Sequence, residues 1–206
     1  MTQSHNDAPA PPAPFPRRLL IGVCGSVAVL ALPTYLQALR CAGVEQIAAV
    51  VTRTAETFLP ATTLRLVCDA VYTDIDPGPG HVALGRWADD VMLLPATAHQ
   101  LGCIATGTAP NLVATTVLAA PDPVLLVPAM NPVMWRKPAV QRNVAQLRAD
   151  GHTVLDPVPG MAYEVASRRI RPSLVMPPPD QLISVIHDRA DTAAHLAPPA
   201  DVVMHP

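Results

Sequence analysis

Five short apolar runs punctuate the chain, at positions 19–23, 47–51, 91–94, 124–127 and 153–155, and none contains a charged residue. Unbroken apolarity, as opposed to alternation, predicts strands covered on both faces, the pattern of a parallel sheet. Helix-like patterns fill the intervals at 26–42, 84–89, 98–105, 111–119 and 132–150, and a last helix is expected at 180–189, after three prolines. Alternating strand and helix predicts a three-layer α/β/α domain with a parallel, doubly wound sheet. Ligands of such sheets bind outside the carboxyl ends of the strands. The residues with chemical character cluster there: Gly25 and Ser26, Thr52 and Thr54, the segment 95–99, and the segment 128–131.

Composition refines this picture at the ends of the chain. The 206 residues are 50% hydrophobic and 15% charged, enough to bury one ordinary core. There are 25 prolines and only 3% aromatics, so aliphatic side chains must fill the core and much proline must lie outside it. Segments 1–16 and 193–206 are rich in Pro and Ala without periodicity and read as tails, the first carrying an inert His5, which leaves 17–192 as the folded domain. The 14 basic residues are scattered among 16 acidic ones, for a net charge of −2, and this excludes a nucleic-acid surface. No apolar stretch reaches the roughly 18 residues of a membrane span. The first residues lack the basic start and apolar run of a secretion signal, so a cytoplasmic protein is expected. Cys24, Cys41, Cys68 and Cys103 show no metal-binding spacing and are expected to be reduced thiols.

Several residues admit two readings. The turn GVCGS at 22–26 can hold a phosphate on its N–H groups and the Ser26 hydroxyl, or Gly25 can serve a tight turn while Ser26 caps a helix. Neither a Walker loop nor the ordinary dinucleotide fingerprint fits it. Phe58 can cover a flat ring or pack in the core. His81 follows PGPG near a helix start, where the imidazolium is disfavoured and a neutral base results; the alternative is a solvated capping residue. His99 can cap its helix or touch a ligand, and His152 reads as structural. Asn131, ahead of Pro132, can orient a ligand through its amide or act as an N-cap. Two methionines and a tryptophan surround Asn131, which capping does not explain.

Together these segments resemble the homo-oligomeric flavin-containing cysteine decarboxylase family, which includes phosphopantothenoylcysteine decarboxylases and the lantibiotic decarboxylases of the epidermin and mersacidin type. PAMNPVMW at 128–135 matches the family's PxMNxxMW at every fixed position. His81 with LGRWAD resembles its histidine block, PATAHQLGCIATGTAPNL at 95–112 its flavin block, and GSVA with TAETF its phosphate segments. The resemblance implies a flavodoxin-like Rossmann fold in trimers or dodecamers, with the flavin between subunits. It implies FMN, or FAD as in some members, held by Gly25, Ser26, Thr54, Phe58, Pro95, Ala96, Thr97, Ala98 and His99. It further implies His81 as the catalytic base, and Asn131 and Met130, joined by Met134 and Tyr163, at the substrate.

Three positions depart from the family pattern. His99 stands where the flavin block has Asn, and Pro110 where it has Asp. The third departure bears on the reaction. Coenzyme A decarboxylases resemble one another in a later ACG segment, whereas this chain reads PGMAYE at 159–164 and has no cysteine beyond Cys103. This favours oxidative decarboxylation of a C-terminal cysteine of a precursor peptide to an aminoenethiol. Tyr163, Glu164, Arg168 and Arg169 are read either as a flap over that peptide or as a solvated loop. Relatives that only bind partners carry acidic tails, and flavin prenyltransferases lack the PxMNxxMW motif.

Overall fold

The computed structural model describes residues 15–75, 78–165 and 167–196. Residues 1–14 and 197–206, most of the two expected tails, lie outside the described residues. Phe15 and Pro16 differ from the tail expectation. The Phe15 ring lies 4.6 Å from the His187 ring, and Pro16 is buried.

The central sheet has six parallel strands, β1 (Arg18–Val23), β2 (Gln46–Val51), β3 (Ala70–Thr73), β4 (Asp90–Ala96), β5 (Leu125–Pro128) and β6 (Thr153–Val154). Their spatial order is β3-β2-β1-β4-β5-β6. The chain builds outward from β1 in one direction, then returns to pair β4 with the other edge of β1. That reversal opens a crevice at the carboxyl ends of β1 and β4. All five apolar runs became strands. β3 was not anticipated, because Ala70–Thr73 alternates partly buried and buried positions over only four residues.

Helices cover both faces. α1 (Leu32–Cys41) follows a 3₁₀ turn at Val27–Ala31, because Pro33 suits a helix start and resists a continuous helix from residue 26. Short α2 (Arg53–Glu56) and α3 (Ala61–Leu64) link β2 to β3, and α4 (His81–Trp87) precedes β4. α5 (Ala98–Ala105) and α6 (Leu112–Ala119) lie between β4 and β5. The helix expected at 132–150 divides into α7 (Pro132–Trp135) and α8 (Pro138–Ala149), since Pro138 holds Lys137 in an extended conformation. α9 (Pro179–Leu196) closes the domain, longer than the pattern suggested.

Strand side chains alternate between two cores. Leu19, Ile21, Ile47 and Val51 pack toward Leu36 and Leu39 of α1 and Leu182 and Ile186 of α9. Leu20, Val50, Leu93 and Leu126 pack toward α5, α6 and α8 through Leu101, Ile104, Val113, Val117, Val144 and Leu147. Each fully buried Leu or Ile contributes about 2 kcal/mol of transfer free energy, and this aliphatic filling dispenses with aromatics. At the amino edge of the sheet, Arg189 of α9 binds Asp90, Thr153 and the Pro123 carbonyl at 2.6–2.9 Å, tying α9 to β4 and β6.

One segment, offered as a flap or a solvated loop, has a regular secondary structure that neither reading specified. Residues 158–175 form an antiparallel hairpin, β7 (Val158–Glu164) and β8 (Arg169–Val175). It leaves the carboxyl end of β6, on the crevice side of the sheet. Its pairing places Met161, Tyr163 and Ile170 on one face, all more than half exposed, while Glu164 and Arg171 pair at 3.5 Å on the other.

Candidate functional site

Five strand ends converge on a crevice of about 620 Å³, within the range of small-ligand sites. Its floor is the turn after β1. A Cβ on Gly25 would stand 2.5 Å from Thr54 Cβ and 3.1 Å from the Thr54 backbone carbon, so the two loops touch only because residue 25 is glycine. Gly25 has no positive φ. The requirement there is space. Ser26 Oγ accepts the Ala28 N–H at 3.3 Å, so the capping reading holds, yet the hydroxyl proton is left for a ligand.

Thr52 is buried and doubly engaged, donating to the Val23 carbonyl at 3.2 Å and accepting the Ala55 N–H at 3.4 Å. It pins the end of β2 beside β1. Thr54 lines the crevice with its hydroxyl available. Cys24 also lines it, but burial pushes its thiol up to about 12, so it remains protonated.

The segment after β4 divides into scaffold and lining. Pro95 and Ala96, expected to contact the cofactor, are buried within β4 and do not line the crevice. Their carbonyls accept the N–H groups of Cys24 and Ala129 at 3.2 and 2.9 Å, which ties the turns after β1 and β5 to β4. Thr97 caps α5 through the Gln100 N–H at 3.2 Å, and Thr97, Ala98 and His99 line the crevice. His99 Nε2 lies 3.6 Å from Cys103 Sγ one helical turn on, and burial raises the Cys103 thiol. Asn111 and Gln100 exchange amide hydrogen bonds across the α5–α6 junction, the shorter at 3.1 Å.

Two lining residues escaped the sequence reading, Arg53 and Asp74. Asp74 Oδ1 accepts the Leu112 N–H at 2.7 Å at the start of α6. The sequence signal was the position of both, immediately past the ends of β2 and β3, but β3 itself had not been recognised.

The PAMNPVMW segment turns around the end of β5. Met130 and Met134 line the crevice. Asn131 Oδ1 accepts the Val133 N–H at 2.7 Å, so the N-cap reading is correct for the oxygen, and the exposed Nδ2 is the part of the amide open to a substrate. Trp135 packs partly buried against the α5–α6–α8 core, which explains one aromatic of the motif.

Besides Pro95 and Ala96, four expected site residues do not line this crevice. Asn131 stands beside it; Phe58 is 39% exposed beyond α2; Tyr163 is 53% exposed on the hairpin; and His81 is exposed at the first position of α4. Within one chain, the expected base and the crevice are separate features. Among the described residues no group of acidic, histidine and cysteine side chains could hold a metal, and no helix is long and apolar enough to cross a membrane.

The cradle fits a flavin phosphate and ribityl chain: glycine for close approach, hydroxyls at 26 and 54 as donors, and apolar Met130 and Met134 opposite. Comparison with known proteins agrees. The family model described as Flavoprotein matches residues 14–190. Mersacidin decarboxylase of Bacillus sp. (strain HIL-Y85/54728) is 43% identical over 173 residues, 82% of this chain and 89% of that protein. Among solved structures, the FMN-dependent cysteine decarboxylase SpaF is 38% identical at a TM-score of 0.70, covering 84% of this chain and 96% of its own. EpiD complexed with substrate peptide DSYTC is 25% identical at 0.77, covering 82% and 97%. With a family model over residues 14–190 and a relative 43% identical along most of its length, the chain belongs to the flavoprotein family, among the homo-oligomeric flavin-containing cysteine decarboxylases.

Proposed function

We propose that this protein is an FMN-dependent peptidyl-cysteine decarboxylase that converts the C-terminal cysteine of a ribosomally made precursor peptide to an aminoenethiol. The observation that carries this reading is the Gly25–Thr54 cradle facing Met130 and Met134 across one crevice. It is supported by a relative named mersacidin decarboxylase and by a neighbour holding a peptide that ends in cysteine. Bound flavin supplies a two-electron acceptor for the cysteine side chain.

The chain's own residues bind and orient. Gly25, Ser26 and Thr54 receive the phosphate end. His81 takes the thiol proton. Asn131 Nδ2 donates to the departing carboxylate, orienting it without neutralising it, whereas a cation there would stabilise the ground state and oppose loss of carbon dioxide. The exposed apolar face of the hairpin, with Met161, Tyr163 and Ile170, covers the peptide. Because His81 stands outside the crevice of its own chain, it serves the crevice of a second copy, which makes a homo-oligomer part of the proposal.

Incubating the flavin-loaded protein with Cys-terminated peptides should remove one carbon dioxide and two hydrogens from the peptide, read by mass spectrometry. Turnover of phosphopantothenoylcysteine with no change in any such peptide would refute the proposal. His81→Asn should abolish turnover while the protein stays yellow; retained turnover removes His81 from the mechanism.

A further inference from the structure

Building on the flavin reading above, we propose that Arg53 is the cation that holds the phosphate of the bound flavin. Phosphate brings close to two negative charges into the crevice, and hydroxyls alone cannot balance them. Two ionic side chains line this space, Arg53 and Asp74. Asp74 is engaged with the Leu112 N–H and would repel an anion, and His99 is turned to Cys103 at 3.6 Å, so Arg53 is the lining side chain with a permanent positive charge to offer.

Register places it. Val51 of β2 pairs with Val23 of β1, so residues 52–54 stand beside 24–26. Thr52 fixes that junction with both of its hydrogen bonds, and Thr54 rests against Gly25. Arg53 therefore starts next to Thr54, one of the two donors already assigned to the phosphate end, and opens into the same crevice as Ser26.

Among the described residues the guanidinium is also uncommitted. Arg17, Arg18, Arg40, Arg148, Arg171 and Arg189 each pair with a carboxylate. Arg53 has no carboxylate within ion-pair distance and no side-chain hydrogen bond among the described residues. An exposed, unpaired guanidinium at the rim of an anion cradle can deliver two parallel N–H donors to phosphate oxygens. Sequence reading passed over it because TRTAETF drew notice for its hydroxyls and its phenylalanine.

The test is a set of flavin titrations, followed by fluorescence quenching, with FMN, FAD and riboflavin against wild type, Arg53→Ala and Arg53→Lys. Arg53→Ala should weaken FMN by about tenfold, the lower end for a charge-assisted bond at an exposed site, and leave riboflavin unchanged. FAD should lose the same factor, since it shares the phosphate next to the ribityl chain. Arg53→Lys should recover part of the loss, since it restores the charge without the paired donors, and added salt should shrink the gap between wild type and Arg53→Ala. Equal weakening of FMN and riboflavin, no weakening of FMN, or a loss confined to FAD would each overturn the assignment. Wild type that binds no flavin would instead overturn the flavin reading itself. Unchanged thermal melting of the apo variants verifies that the effect lies in binding.

Discussion

Gly25 shows how one residue type can decide a site. With its backbone in an ordinary conformation, the glycine is needed because Thr54 occupies the volume where a side chain would begin. Gly25→Ala must therefore push the β1 and β2 turns apart. Forced overpacking of this kind costs about 1–3 kcal/mol, and flavin affinity should fall at least tenfold, measured by titration of the purified apoprotein. Native affinity in the variant would show that the loops part freely. Asn131 illustrates the opposite case: its oxygen is an ordinary cap and its nitrogen carries the functional reading, so the two interpretations of the sequence describe different atoms of one amide. Cys24 sits in the crevice wall yet is chemically quiet, because burial keeps the thiol protonated.

Among the elements, β6 is held by a titratable contact. The His152 ring accepts the Val124 N–H through Nδ1 at 3.1 Å, clamping the start of β6 beside β5. Desolvation, reinforced by Arg189 and opposed by Asp150, holds its pKa below the ordinary value of 6.5. A depressed histidine pKa contributes stability above its unfolded value and loses it as pH falls, since only the neutral ring can accept. The urea midpoint should drop between about pH 7 and pH 5, and His152→Gln should drop less over the same interval. Equal drops would show that the contact does not titrate with folding. The elements also show which patterns were readable. Strands β1, β2, β4 and β5 announced themselves through unbroken apolarity. The hairpin did not, because Pro159, Gly160 and Pro172 interrupt any strand signal and its exposed faces leave no burial pattern to read. α7 and α8 looked like one helix until Pro138 was seen to hold Lys137 extended.

For the whole molecule, the separation of His81 from the crevice is the main consequence of the fold. The proposal that one copy supplies the base and another the flavin cradle makes a direct forecast. His81→Asn and Gly25→Ala, each inactive alone when flavin is too dilute to fill the weakened cradle, should regain activity when co-expressed, because a mixed oligomer contains crevices with both intact halves. Light scattering should give a multiple of the chain mass, three or twelve copies. Absence of complementation, or an active monomer, would place His81 and the crevice of a single chain together after all.

The sequence by itself determined what is local: apolar runs long enough for buried strands, helix caps at Ser26 and Asn131, the glycine of the cradle, and the PAMNPVMW turn. Each of these depends on neighbours a few positions away, where steric and hydrogen-bond rules act directly. Tertiary structure alone decided that β4 returns beside β1, that Arg53 and Asp74 enter the crevice, that Pro95 and Ala96 support it from within a strand, and that His81 stays outside it. Those outcomes rest on which buried faces pack together across tens of residues. That packing is a property of the assembled sheet and both its cores, which no single segment encodes.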